Sequence, residues 1–148
     1  MASKHVDAGV LVADCVFCRI IRGEIPAERI YEDEHVLAFL DIGPLAAGHS
    51  VVIPRYHAAA LENLPADWAA HVARALGPLA RAVVAVTGAD GYNILLNNGA
   101  VAGQVVPHVH FHIVPRRPDD QLGYRWHASP ADAEQLAEIG SCVRAALR

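Results

Sequence analysis

The chain has 148 residues, enough for one domain with a sizeable core. Hydrophobic residues make up 53%, charged residues 19%, and the formal net charge is −4, which excludes a disordered chain and leaves no basic footprint for nucleic acid. No apolar run stands out as a membrane span, and the apolar patch at 10–13 is too short for a secretory signal, so a cytoplasmic location is expected.

Residues 1–14 read as a flexible tail, and 15–148 as a single domain. Residues 16–23 predict a short helix stopped by Gly23 and Pro26. Strands are expected at 30–32 and 35–41, joined by an acidic turn at Asp33 and Glu34, and at 49–54. Leu61, Leu64, Trp68, Val72, Leu76, Leu79, Val83 and Val86 then recur every three or four residues. That is a long amphipathic helix ending near Gly88, with Pro65 in its first turn and Gly77-Pro78 expected to kink or split it. "GYNILLNNG" predicts a fourth strand, and a Gly-containing loop at 97–106 leads to a fifth. Ser129 and Pro130 open a final helix over 129–147, with Leu136, Ile139, Val143 and Leu147 as its apolar stripe and Cys142 as a buried small residue. The fold class is therefore α+β, built on an antiparallel sheet.

The chemistry concentrates in "PHVHFHIVPRR", residues 107–117. His108, His110 and His112 alternate with Val109, Phe111 and Ile113, which is the period of a strand. The apolar set faces the core, and the imidazoles form a row on the other face. A His-rich solvated face is the plain alternative, and the phase with the pleat argues against it. The preceding loop contains Asn97, Gly99, Gly103 and Gln104, residues suited to cradle a phosphate but equally at home in any turn. Together the two segments suggest attack by a neutral imidazole on phosphorus, with His110 as nucleophile and His108 and His112 as supports.

"HVHFHIV" at 108–114 matches the motif of the histidine triad (HIT) family. Residues 15–57 and 93–116 resemble the two halves of its Hint-like, phosphoramidase-type branch. The resemblance implies the HIT fold, with a five-stranded antiparallel sheet, and a homodimer in which two such sheets join. It implies hydrolysis of nucleoside 5′-phosphoramidates, or of related conjugates of a purine nucleotide, through a nucleotidyl-His110. His112 then binds the α-phosphate, His108 orients its neighbours and His49 is a fourth site histidine. Asp41 holds the ribose hydroxyls; Ile42, Phe17 and Phe39 line the base pocket; Asn97, Gly103 and Gln104 face the phosphate. Many Hint-like sequences carry serine where this chain has Val105, so a side-chain donor is missing there and the backbone amide remains.

Cys15 and Cys18 form a C-x-x-C, which is half of a zinc site or simply a pair of helix-face thiols. Some bacterial HIT proteins resembling this chain complete such a pair with residues that match His57 and His108. One structural zinc per chain on Cys15, Cys18, His57 and His108 is thus implied, with no organic cofactor. Three other readings compete: diadenosine polyphosphate hydrolysis, nucleotide binding with little turnover, and a catalytic zinc on the three strand histidines.

Overall fold

The computed structural model describes residues 11–123 and 128–147; most of the tail expected at 1–14 lies outside them. Helix α1 (Val16–Ile21) precedes strands β1 (Arg29–Glu32), β2 (Val36–Leu40) and β3 (Ser50–Pro54). Helix α2 (Ala66–Thr87), strands β4 (Gly91–Leu96) and β5 (Phe111–Arg116) and helix α3 (Ala133–Ala146) follow. The five strands form one antiparallel sheet in the order β1-β2-β3-β5-β4, the α+β architecture expected from the sequence.

Strands β2 and β3 are buried on both faces, so their alternation separates two cores. Leu37, Phe39, Val51 and Ile53 pack under α1 against Phe17, Cys18, Ile20 and Ile21. Val36, Ala38, Val52 and Ile113 pack on the opposite face against Val72, Ala75, Leu79, Ala80 and Val83 of α2. The β1–β2 turn is closed by Asp33, whose Oδ1 accepts from the amides of His35 and Val36 at 2.7 Å each. Both helices thus grip the central strands, and the chemistry lies on the α1 side.

Several boundaries differ from expectation. Leu61 belongs to a separate 3₁₀ turn (Leu61–Asn63), and Pro65 is the N-cap of α2. Pro78 does not split α2; Gly77 and Pro78 are exposed, so the carbonyl that proline leaves unpaired lies on the side open to water. The apolar stripe stops at Val83, because Val86 is 87% exposed. Over its most apolar stretch α2 reaches a mean hydropathy of 1.3, long and apolar enough to span a bilayer by composition, contrary to the sequence expectation; its apolar face nevertheless packs on the sheet.

Helix α3 starts later than expected. Asp132 caps it by accepting from the amide of Gln135 at 2.9 Å, a capping pattern that outcompetes Ser129 and Pro130. Leu136, Ile139, Val143 and Leu147 are 52–81% exposed, and Cys142 is exposed rather than buried.

Candidate functional site

The regular strand begins only at Phe111; His108 and His110 lie in the segment that feeds it. The alternation nevertheless holds. Val109 packs with Ala58, Leu64 and Trp68, and Ile113 packs under α2. The imidazoles emerge on the α1 face, where the rings of His110 and His112 are 4.9 Å apart. This face is not solvated: His108 is 0% and His110 5% exposed.

Backbone groups decide where the ring protons sit, because a carbonyl only accepts and an amide only donates. His110 Nδ1 lies 2.7 Å from the carbonyl of His108, so Nδ1 carries the proton and Nε2 keeps a free lone pair. The amide of Leu45 donates to His49 Nδ1 at 3.0 Å, which leaves the proton of His49 on Nε2. That proton points at His112 Nδ1, 2.9 Å away, so His112 carries its own on Nε2. Asp41 Oδ2 is 3.6 Å from His49 Nε2, while its Oδ1 accepts from the amide of Gly43 at 2.8 Å. Asp41, His49 and His112 converge closely enough to suggest a metal, but the Leu45 amide occupies one nitrogen of His49 and a proton the other. His49 and His112 form a hydrogen-bonded pair, and the Asp41 carboxylate flanks it without a hydrogen bond of its own to His49.

Burial, assisted by the neighbouring imidazoles, pushes His112 down to about 4. Burial also lowers His49, against the pull of Asp41. The folded chain therefore binds fewer protons than the unfolded chain between the ordinary value of 6.5 and about 4. Stability rises with pH across this window and is lost as pH falls through it. Urea unfolding at pH 7 and pH 5 is expected to show a loss of about 1 kcal/mol from this residue after allowance for solvent screening. His112→Asn flattens that dependence, and an unchanged slope in the variant overturns the assignment.

A cavity of about 390 Å³ opens beside this row. Of the expected residues it brings together Phe17, Phe39, Asp41, Ile42, Gly103, Val105, His110 and His112. Phe17 meets Phe39 edge-on at 5.7 Å, while Ile42 and Val105 stand at the rim, 99% and 89% exposed. The rest of the wall, which includes Ile20, Ile25, Val51 and Val106 and the segment Pro26–Ala27, was not anticipated; Val51 was within reach, because it pairs with Phe39 across β2 and β3. Asn97 and Gln104 do not line the cavity. Asn97 lies against Gly103, which adopts φ 95°, a conformation that favours glycine. Gln104 accepts from the amide of Gly99 at 2.7 Å and donates to the carbonyls of Ala59 (2.7 Å) and Val106 (3.0 Å). Its side chain braces the loop instead of facing a phosphate. A larger cavity of about 590 Å³ lies at the C-terminal end of α2, but its described lining has no histidine or cysteine.

His108 and His57 turn away from the cavity toward α1. His108 Nε2 donates to the carbonyl of Pro54 at 3.0 Å, so Nδ1 is free. That Nδ1 lies 3.5 Å from Cys15 Sγ and 3.6 Å from Cys18 Sγ, and His57 Nδ1 lies 3.5 Å from Cys18 Sγ. Tetrahedral zinc with bonds of about 2.3 Å to sulfur and about 2.0–2.1 Å to nitrogen places such ligands roughly 3.5–3.6 Å apart. The residues therefore fit the ion. Burial holds His108 at about 4, in the neutral form that ligates, and pushes the Cys18 thiol up, so binding must release its proton.

The family model of the HIT domain matches residues 22–119. The chain belongs to the HIT family. Among HIT relatives, an adenylylsulfatase from Arabidopsis thaliana is 43% identical over 94% of this chain and 72% of its own length. An adenosine 5′-monophosphoramidase from Saccharomyces cerevisiae is 40% identical over 93% of this chain and 85% of its own. The crystal structure of a zinc-bound HIT protein from Mycobacterium smegmatis superposes with a TM-score of 0.71 at 42% identity, covering 87% of this chain and 97% of that one.

Proposed function

We propose that this HIT protein hydrolyses nucleoside 5′-phosphoramidates, or similar conjugates of a purine nucleotide, to the nucleoside monophosphate. The observation that carries this is the ring of His110: its Nδ1–H is held by the His108 carbonyl, and its Nε2 lone pair is left for attack beside a nucleotide-sized cavity. Nε2 attacks the α-phosphorus, the P–N bond breaks, and the amine leaves with a proton from solvent. Water then attacks the nucleotidyl-His110, returning the ring and releasing the monophosphate. His112 Nε2–H donates to a phosphoryl oxygen as charge develops there. Asp41 takes the ribose hydroxyls. Phe17, Phe39 and Ile42 flank the base, and the amides of Gly103 and Val105 face the phosphate. Release of AMP from adenosine 5′-phosphoramidate, dependent on His110, is the test.

Zinc on Cys15, Cys18, His57 and His108 has four protein ligands and hence no open position, so its contribution is structural. Protein purified without chelator is expected to carry about one zinc per chain; retention of zinc by Cys15→Ser/Cys18→Ser protein overturns the assignment. Thiols kept for a metal also suit a reducing compartment such as the cytoplasm.

The protein is further proposed to pair through β4 into a homodimer. β1 guards one edge of the sheet with Arg29 and Glu32. β4, at the other edge, has no charged residue, and Tyr92 and Ile94 on it are 46% and 38% exposed. Ile94→Lys is expected to yield a monomer by light scattering, whereas a dimer of unchanged mass counts against this edge.

A further inference from the structure

We infer that the cysteine–histidine cluster positions the catalytic nucleophile: Cys15, Cys18 and His57, bridged by a metal, act through His108 and Phe17 to fix the ring of His110. This inference rests on the zinc reading above.

Besides the ring of His112, two contacts hold the His110 ring, and each of these originates in a residue of the cluster or between its members. The first is the hydrogen bond from Nδ1 to the carbonyl of His108. His108 offers that carbonyl while its own Nδ1 faces both cysteine sulfurs. The second is the edge of Phe17, whose centroid lies 5.1 Å from that of His110 at 75° and 5.8 Å from that of His108 at 79°. Phe17 sits between the two cysteines on α1, a helix of only six residues. A helix this short does not sustain itself. Its N-cap, Cys15, makes no side-chain capping bond; the thiol turns to His108 instead. A metal at that point supplies the restraint that a capping residue otherwise would. His57 adds a third segment, from the connection after β3, through its contact with Cys18.

The chemical consequence follows from the ring's two nitrogens. If the His108 carbonyl moves or Phe17 swings out, His110 is free to place its proton on Nε2. That tautomer presents no lone pair to phosphorus. Cys15, Cys18 and His57 are thus positioning residues, since none of them lines the cavity.

The test uses the full chain with its histidines labelled with ¹⁵N. Two-bond ¹H–¹⁵N correlations report the His110 tautomer, alongside metal content, circular dichroism and steady-state rates. Chelator-stripped wild type under reducing conditions is expected to stay folded, to lose the single Nδ1–H form of His110, and to lose about 10–100-fold in kcat. Added zinc restores both. His57→Ala behaves like the stripped protein, and His57→Cys, which completes a Cys₃His set, rescues both readouts. Exchange of zinc for cadmium, a larger thiolate-binding ion, keeps the fold and shifts the His110 signals, an arm that survives if either apo form fails to fold. Zinc bound stoichiometrically, with His110 signals and kcat unmoved by its removal or by cadmium, overturns this inference alone. Wild type that carries no metal and ignores chelator overturns the zinc reading and this inference together.

Discussion

Replacement of His110 by alanine is expected to abolish AMP release from adenosine 5′-phosphoramidate while AMP itself still binds. Loss of a catalytic nucleophile costs on the order of 10⁴–10⁶ in kcat. Most of the cavity is built without this ring: Phe17, Phe39, Asp41, Val51 and the backbone of Gly103 remain, so AMP affinity by calorimetry should change only a few-fold. Acid quenching of the wild type during turnover is expected to trap a nucleotidyl-protein that the variant never forms. A variant that keeps more than about a hundredth of the rate removes His110 from the nucleophile's role. Wild type that binds AMP yet leaves the phosphoramidate intact shifts the substrate toward diadenosine polyphosphates, or leaves a binding protein with little turnover.

The row of histidines was legible because side-chain period and backbone pleat are one property: His108, His110 and His112 could share a face only on an extended chain. The assignment of their protons was not. It depends on the Leu45 amide and on the carbonyls of Pro54 and His108, and every residue carries such groups whatever its side chain. Gln104 shows the same blindness in reverse. An amide among glycines reads as a ligand for phosphate, but the folded loop leaves Gly99 N–H and the Ala59 and Val106 carbonyls in need of partners, and Gln104 meets all three. Cys15 and Cys18 announced half of a metal site through their spacing. The other half required a topology that brings His57 and His108 to α1 from 39 and 90 residues beyond Cys18. On α3, Ser129 is a plausible cap by residue type, but Asp132, three residues on, accepts from the amide of Gln135 and opens the helix there. Its apolar stripe was legible as periodicity, yet periodicity says which residues share a face and not what covers it.

Truncation of His112 to alanine is expected to lower kcat by about 10²–10³ with little change in KM, the usual effect of deleting one donor aimed at developing charge. The reasoning begins outside the strand. Leu45 N–H fixes the proton of His49 on Nε2, that proton fills Nδ1 of His112, and His112 can then offer only an N–H at Nε2. Burial holds its pKa at about 4, so it is neutral at pH 7 and has no net charge to lend. A neutral donor of this kind stabilises the phosphoryl oxygens rather than protonating the departing amine. The deficit should therefore be nearly the same for the phosphoramidate and for the p-nitrophenyl ester of AMP, whose leaving group needs no proton. Single-turnover rates for both substrates with wild type and His112→Ala decide the matter. A deficit that shrinks sharply with the ester shows instead that His112 hands its proton to the leaving group.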